Sequence, residues 1–398
     1  MLSNLLTQLA YANGLFNIKN GKPVNFTQNP TLVSKKLFLE IKNLQRRLQI
    51  LYYRLSLDLK SFSFEDDMYK FLSSIISTRK KPIKSFYLRS DYLLDGDIYK
   101  QVEINMISQC FSIFGPIVNR IHALINNNTE ISDSDVKFID YLETLKNEYE
   151  RVFKTKDTCI AMVDNDTSPS SSNFLEKMKI IEMCKKRGMA VLHVKIDEIA
   201  FSKHKAIHKK SSRDISIVYY RWFYNYDHYD SDSKDIRKKI EDSDAISLPS
   251  AEFQIVNSKA FQKILADENT LQRYTDDPKE ILRHFGEFKD VSEDTVPQEN
   301  WILKDVEEGG GHLNKSISKS SFLMKKFNSP STPSKFIEDL ETRMIISEVS
   351  IFGGLISVDG EIVYNEECGY MVRSKDANSL EGGVCIGAGG LDSLVLLE

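Results

Sequence analysis

The chain has 398 residues, 41% of them hydrophobic and 28% charged, with a formal net charge of −4. That is enough apolar material for one large core or two to three smaller ones. The lack of basic character argues against a nucleic-acid partner, and no apolar run is long enough to span a bilayer.

Read in chain order, residues 31–78 predict helix, because Leu37, Leu39, Ile41, Leu44, Leu48, Leu51 and Leu55 recur at three and four. A second helix is expected over 66–77. Ser85–Arg89 and Ile98–Met106 read as paired strands around a turn at Leu94-Asp-Gly-Asp. Residues 111–125 and 134–152 again predict helix. Cys159–Val163, Ala190–Ile196 and Ile215–Tyr220 are short apolar strands, and an amphipathic helix over 173–187 ends at Gly188. Strand, helix and strand within so short a span form the unit of a parallel α/β sheet. Residues 157–252 are therefore expected to form an inserted α/β domain, flanked by 1–156 and 253–398. Helices are expected over 258–265 and 278–286, and antiparallel strands over 343–348 and 354–363.

The five cysteines (Cys110, Cys159, Cys184, Cys368 and Cys385) are odd in number and widely spaced. This argues against a disulfide framework and a zinc site, and for a reducing, cytoplasmic compartment. Residues 1–10 lack the charged start and long apolar stretch of a signal peptide. A leader preceding Met1 would mean secretion instead.

The candidate chemistry centres on Lys304-Asp-Val-Glu-Glu308-Gly309-Gly310-Gly311. Three consecutive glycines are costly to order and are retained where backbone must approach a ligand closely. Trp301–Leu303 and Phe322–Met324 flank this loop as strands, so no helix opens at its end. That is not the geometry of a P-loop or a dinucleotide fingerprint. A glycine flap with a lysine and a carboxylate at its base suits a lid over a nucleoside triphosphate.

Glu103 and Asn105 lie two apart on a predicted strand and so share a face. Their oxygens suit Mg2+, with Glu308 as a third ligand; taken alone, the pair reads as the polar face of an edge strand. Lys259 and Lys304 are point charges suited to phosphate. Arg89, Arg221 and Arg373 each close an apolar strand, where arginine can grip a carboxylate through two hydrogen bonds. The bland alternative for each is a surface salt bridge. The seven scattered histidines give no support to nucleophilic catalysis by a side chain.

Together these segments resemble the eukaryotic glutathione synthetases, which are ATP-grasp ligases. The resemblance rests on Leu88–Tyr92, Lys100–Ser108, Val218–Arg221, Leu303–Gly311, Ser347–Gly353, Val372–Lys375 and Glu381–Val384, in the family's order from about residue 10 onward. It implies an α/β ATP-grasp fold with an inserted, permuted α/β substrate-binding domain. A glycine-rich lid would cover about 300–345 and a second closing loop about 374–390. It also implies a homodimer.

The implied reaction joins the carboxylate of γ-glutamylcysteine to the amine of glycine, or another amine, through an acyl phosphate, giving glutathione or its analogue. The resemblance assigns Mg2+ to Glu103, Asn105 and Glu308. ATP falls to Lys259, Lys304, Gly309, Gly310, Gly311, Met324, Lys325, Lys326, Phe327, Glu348 and Lys375. The peptide falls to Arg89, Ser108, Cys110, Asn173, Lys177, Arg221, Tyr224, Arg373, Val384 and Cys385. Arg89, Lys304 and Arg373 are the implied catalytic cations.

The departures from the family cluster at ligand positions. His312 and Leu313 follow the glycines where the family carries amide-bearing residues, and Glu307 replaces a basic residue. Cys110 stands for a serine, Lys177 for a glutamine, Lys325 for a glutamate and Cys385 for an alanine. In this the chain is similar to the glutathione synthetase-like effectors of plant-parasitic cyst nematodes. The implied alternatives are a secreted effector with altered acceptor or weak activity, and an inactive γ-glutamylcysteine- or glutathione-binding protein.

Overall fold

The computed structural model describes residues 2–291, 300–304, 321–339, 341–379, 382–384 and 387–398. A mainly antiparallel sheet forms its centre. Its path runs Gly389–Asp392, Glu361–Asp376, Arg343–Val358, Ile83–Asp95, Ile98–Asn105, and Thr332–Ser334 pairs with the 343–358 strand as well. Phe86 and Leu88 enter one core and Tyr87 another. The strand is therefore buried on both faces, which explains its unbroken apolar run.

Helices cover both faces. The helix Lys35–Leu57 is capped by Ser34, whose hydroxyl accepts from Leu37 N–H, and it buries Phe38, Ile41, Leu44, Leu48, Leu51 and Leu55. On the opposite face lies the helix Ser134–Val152. Gly353 and Gly354 let both approach. A Cβ on Gly353 would lie 1.8 Å from Gln49 Oε1, and one on Gly354 2.6 Å from the Tyr141 ring. Adjacent strand residues point to opposite faces, so each glycine admits one helix.

A second, four-stranded sheet is wholly parallel, in the order Ile246–Leu248, Ile215–Tyr220, Cys159–Val163, Ala190–Val194. Ile160, Met162, Ile217 and Tyr219 face the core that holds Tyr87 and Phe138, while Ala161, Val163, Val218 and Tyr220 face a third cluster. Its strand ends deliver Asp164 and Arg221, because ligand-facing residues of parallel sheets sit at the carboxyl ends. A small antiparallel sheet joins Phe288–Asp290, Phe322–Lys325 and Trp301–Lys304. Thr31–Ser34, Leu394–Leu397 and Thr129–Glu130 make another small sheet.

The structure corrects several expectations. Residues 31–34 are strand, and the helical run from there breaks between Asp58 and Asp66. The expected strands 343–348 and 354–363 belong to a long hairpin, Arg343–Val358 and Glu361–Asp376, that turns at Asp359-Gly360. Arg89 and Arg373 thus lie inside strands rather than closing them; Arg221 does follow its strand. Helices Leu2–Ala12, Ser231–Asp242 and Ala251–Val256 and the hairpin Ile199–His208 were not among the expected elements. Among the described residues, no helix is long and apolar enough to cross a membrane.

Candidate active site

Strand register builds the centre of the site. Arg89 stands opposite Asn105, Asp91 opposite Glu103, and Glu348 opposite Arg373. Glu348 and Arg373 attract directly across the ladder, whereas Asp91 and Glu103 are two like charges that the Arg89 and Arg373 guanidiniums must neutralise. Asp91 is fully buried. It takes two hydrogen bonds from Arg89, Nε to Oδ1 and Nη2 to Oδ2, both at 2.7 Å. Arg373 Nη2 reaches the same Oδ2 at 3.0 Å and Asn105 Nδ2 at 3.1 Å. Arg373 also holds Glu348, with Nε 2.9 Å from Oε1. Glu103 Oε1 lies 3.8 Å from Arg373 Nη2 and 4.0 Å from Arg89 Nη2.

This network sets the charges. Burial pushes the Glu103 carboxyl up, but Arg373, Lys304, Lys259 and Arg89 outweigh it and hold it at about 2. Burial works against the Arg373 charge, yet Glu348, Asp91 and Glu103 raise its pKa above the ordinary guanidinium value. Burial lifts the Glu348 carboxyl; Arg373 opposes this, and Asp91 and Glu103 add to it.

The site opens into a cavity of ≈ 610 Å³. Its lining brings together the described residues singled out in the sequence: Arg89, Glu103, Asn105, Ser108, Cys110, Asn173, Lys177, Arg221, Tyr224, Lys259, Lys304, Met324, Lys325, Lys326, Phe327, Glu348, Arg373, Lys375 and Val384. Glu308, Gly309, Gly310, Gly311 and Cys385 lie outside the described residues, as do Glu307, His312 and Leu313. The backbone N–H groups of Lys325 and Lys326 already donate to Glu287 O at 2.9 Å and Asn300 O at 2.8 Å. The Lys325 ammonium pairs with Glu287 at 2.5 Å.

Mg2+ fits the pair that is described. Glu103 keeps its negative charge, and Asn105 spends its amide N–H on Asp91 and Glu103, which leaves its carbonyl oxygen as a hard donor on the same face.

At the other end of the cavity, Arg221 is 6% exposed and donates through Nη1 to Tyr219 Oη at 2.9 Å and through Nη2 to Cys110 Sγ at 3.1 Å. Asn173 Nδ2 lies 3.1 Å from the same sulfur. Ser108, Phe111, Asn173 and Phe223 hold positive φ around this end, a strain typical of functional loops. Lys177 is buried and pairs with Asp164, which His193 Nε2 also contacts at 3.1 Å. Its ammonium is thus already partnered. Glu176 is fully buried, 3.8 Å from Arg221, and burial pushes its carboxyl up to about 7, with Cys110 adding and Arg221 opposing.

Sequence reasoning missed Asp91, Asp164, Glu176 and His193. Asp91 had a usable signal. It follows Arg89 by two on one strand, the same spacing that singled out Glu103 and Asn105.

The model of the eukaryotic glutathione synthase ATP-binding domain matches residues 7–396. The chain is similar to a glutathione synthetase of Dictyostelium discoideum, 25% identical over 97% of each sequence. It is also 24% identical to the glutathione synthetase large chain of Schizosaccharomyces pombe, over 99% of this chain and 95% of that one. The solved structure of a glutathione synthetase like-effector from Globodera pallida superposes with a TM-score of 0.81 at 17% identity, covering 100% of this chain and 96% of that one. At that identity the likeness is one of fold. With nearly its whole length matched, the chain belongs to the eukaryotic glutathione synthase ATP-binding domain family.

Proposed function

We propose that the protein is an ATP- and Mg2+-dependent ligase that joins the carboxylate of γ-glutamylcysteine to an amine, with glycine as the default acceptor. One observation carries this reading. A single cavity holds a charged Glu103 beside Asn105, two lysines suited to phosphate, and, at its far end, Arg221 and Asn173, suited to a peptide.

Mg2+ bound by Glu103 and Asn105, with Glu308 as the expected third ligand, would neutralise triphosphate charge. Lys259 and Lys304 would grip phosphate oxygens, and Lys375 would close over them from the 361–376 strand. Arg89 and Arg373, braced on Asp91, would orient the reacting carboxylate. Phosphoryl transfer to that carboxylate needs alignment and charge stabilisation more than a base. The amine then attacks the acyl phosphate and phosphate leaves. The flap after Lys304 and the segment after Lys375 would exclude water from this intermediate.

The finer assignments belong to the same proposal: an ATP-grasp body over 1–156 and 253–398, an inserted substrate domain over 157–252, and a homodimer. The test is phosphate release from ATP with γ-glutamylcysteine, comparing glycine with other amines. Turnover with one amine supports the ligase. No turnover with any amine, together with saturable peptide binding by calorimetry, would leave the inactive binding protein that Leu313 and Glu307 favour.

A further inference from the structure

Along the outer edge of the strand that carries Glu103 lies a second group of ligand-type side chains. Glu40 comes from the helix Lys35–Leu57, Glu280 from the short helix Pro278–Leu282, and His284 from the turn just after it. They offer ligand atoms that all lie within 4.8 Å of one another.

The histidine decides what the group can do. His284 is 1% exposed, and its Nδ1 sits 2.9 Å from the Tyr99 carbonyl oxygen. A carbonyl only accepts, so Nδ1 carries the proton and the neutral ring leaves a lone pair on Nε2. That Nε2 is buried without a hydrogen-bond partner among the described residues. The atom it faces is another lone-pair bearer, Glu40 Oε1 at 3.5 Å. Two acceptors aimed at each other, with a second carboxylate beside them, form a place for a cation. A ring N–H given to a backbone carbonyl is also the contact that orients metal-ligating histidines.

We propose that Glu40, Glu280 and His284 form a binding site for a divalent transition-metal ion of the Zn2+ type, separate from the Mg2+–nucleotide site. One imidazole nitrogen and two carboxylates, with water completing the shell, suit Zn2+, Co2+ or Mn2+, and no cysteine is needed. The neighbouring positive groups are Arg283 and Lys100. Arg283 Nη2 lies 3.0 Å from Glu40 Oε1, and Nη1 lies 3.3 Å from Glu280 Oε2. Its side chain is 47% exposed, so a metal displaces it into water. Lys100 is turned to the carbonyls of Arg283 and Phe285, at 2.6 and 3.3 Å. The His284 carbonyl accepts from Gln101 N–H at 2.7 Å. A bound ion would therefore tie the 35–57 helix and the 278–284 turn to the strand that continues into Glu103.

The test is calorimetric titration of the full chain, stripped with chelator and kept in excess Mg2+, with Zn2+. One equivalent of Zn2+ is expected. Glu40→Gln and Glu280→Gln should each weaken it by about 10- to 100-fold. Both carboxylates reach the surface and both replacements keep shape, so these variants fold. Arg283→Ala should tighten binding. Co2+ gives a second readout: its visible absorption bands should appear in the wild type and vanish in both glutamine variants. No uptake by the wild type, or unchanged uptake by both variants, would overturn the proposal. Uptake only by Arg283→Ala would also overturn it, because the guanidinium would then be the resident cation.

Discussion

Asp91 Oδ2 lies 3.0 Å from Arg373 Nη2, although 282 residues separate them. The same carboxylate takes both hydrogen bonds of Arg89 and one from Asn105. One buried acid therefore fixes two cations and an amide that the proposed chemistry uses.

Asp91→Asn tests that dependence. It keeps the shape and removes the charge, leaving two buried guanidiniums short of a partner. Losing one member of a buried pair costs about 3–5 kcal/mol. The expected result is a clear drop in thermal midpoint with the far-ultraviolet spectrum kept. Misplacing Arg89 and Arg373 should also lower kcat/KM by about 100-fold. A variant as stable and as active as the wild type would show that Asp91 does not position them.

Glu103→Gln separates charge from shape at the Mg2+ site. In the folded chain this carboxyl is held at about 2, below its ordinary 4.5. A lowered folded pKa gives stability that is present above the unfolded value and lost as pH falls through the folded one. That window runs from about 4.5 down to about 2. Mg2+-dependent binding of an ATP analogue should therefore not change through this group between about pH 5 and 8. Glu103→Gln should weaken it at least about 10-fold across that range. Titration calorimetry at three pH values checks both statements.

The sequence pointed to the lining of the cavity more readily than to the fold around it. Short-range rules found the helix Ser134–Val152 and the strands Cys159–Val163 and Ile215–Tyr220 with their observed bounds. They failed where tertiary contacts decide. Thr31–Ser34 is strand because Leu394–Leu397 pairs with it from the far end of the chain. The expected strands 343–348 and 354–363 were separate, yet Gly353-Gly354 sits inside one long strand where Gln49 and Tyr141 crowd in from opposite faces. The cavity-lining residues could be named because they sit in the short segments that carry the family resemblance. Their ion-pair partners could not: nothing local links Lys177 to Asp164, or Asp91 to Arg373.

Cys110 is the described cysteine that chemistry can reach. It is half-buried in the cavity, whereas Cys159, Cys184 and Cys368 are buried. Burial pushes those three thiols up to about 11, 12 and 12. The thiolate is the reactive form, so they should react slowly. Cys110 Sγ instead lies on the cavity wall, 3.1 Å from both Arg221 Nη2 and Asn173 Nδ2. Peptide mapping after brief iodoacetamide treatment at neutral pH should find Cys110 modified before the other three. γ-Glutamyl-2-aminobutyrate, which has no thiol to consume the reagent, should protect it if the peptide occupies this end of the cavity. Equal labelling with and without the peptide would place the substrate elsewhere.

Glu176 gives a pH dependence of the opposite sign to that of Glu103. Burial is the largest cause that raises its carboxyl, from 4.5 to about 7. The folded chain thus holds this proton more tightly than the unfolded one. The resulting stability is full below the unfolded pKa and is lost as pH rises through the folded one. At one unit per 1.36 kcal/mol, the loss between about pH 4.5 and 8 is on the order of 3 kcal/mol. Glu176→Gln cannot ionise and should escape it. Its thermal midpoint relative to wild type should therefore climb from pH 5 to about 7 and level off above that. The competing effect is the ion pair with Arg221 at 3.8 Å, which a neutral amide gives up. If that attraction outweighs burial, the variant will instead lose ground as pH rises, and Glu176 is then an ionised partner of Arg221 rather than a buried acid.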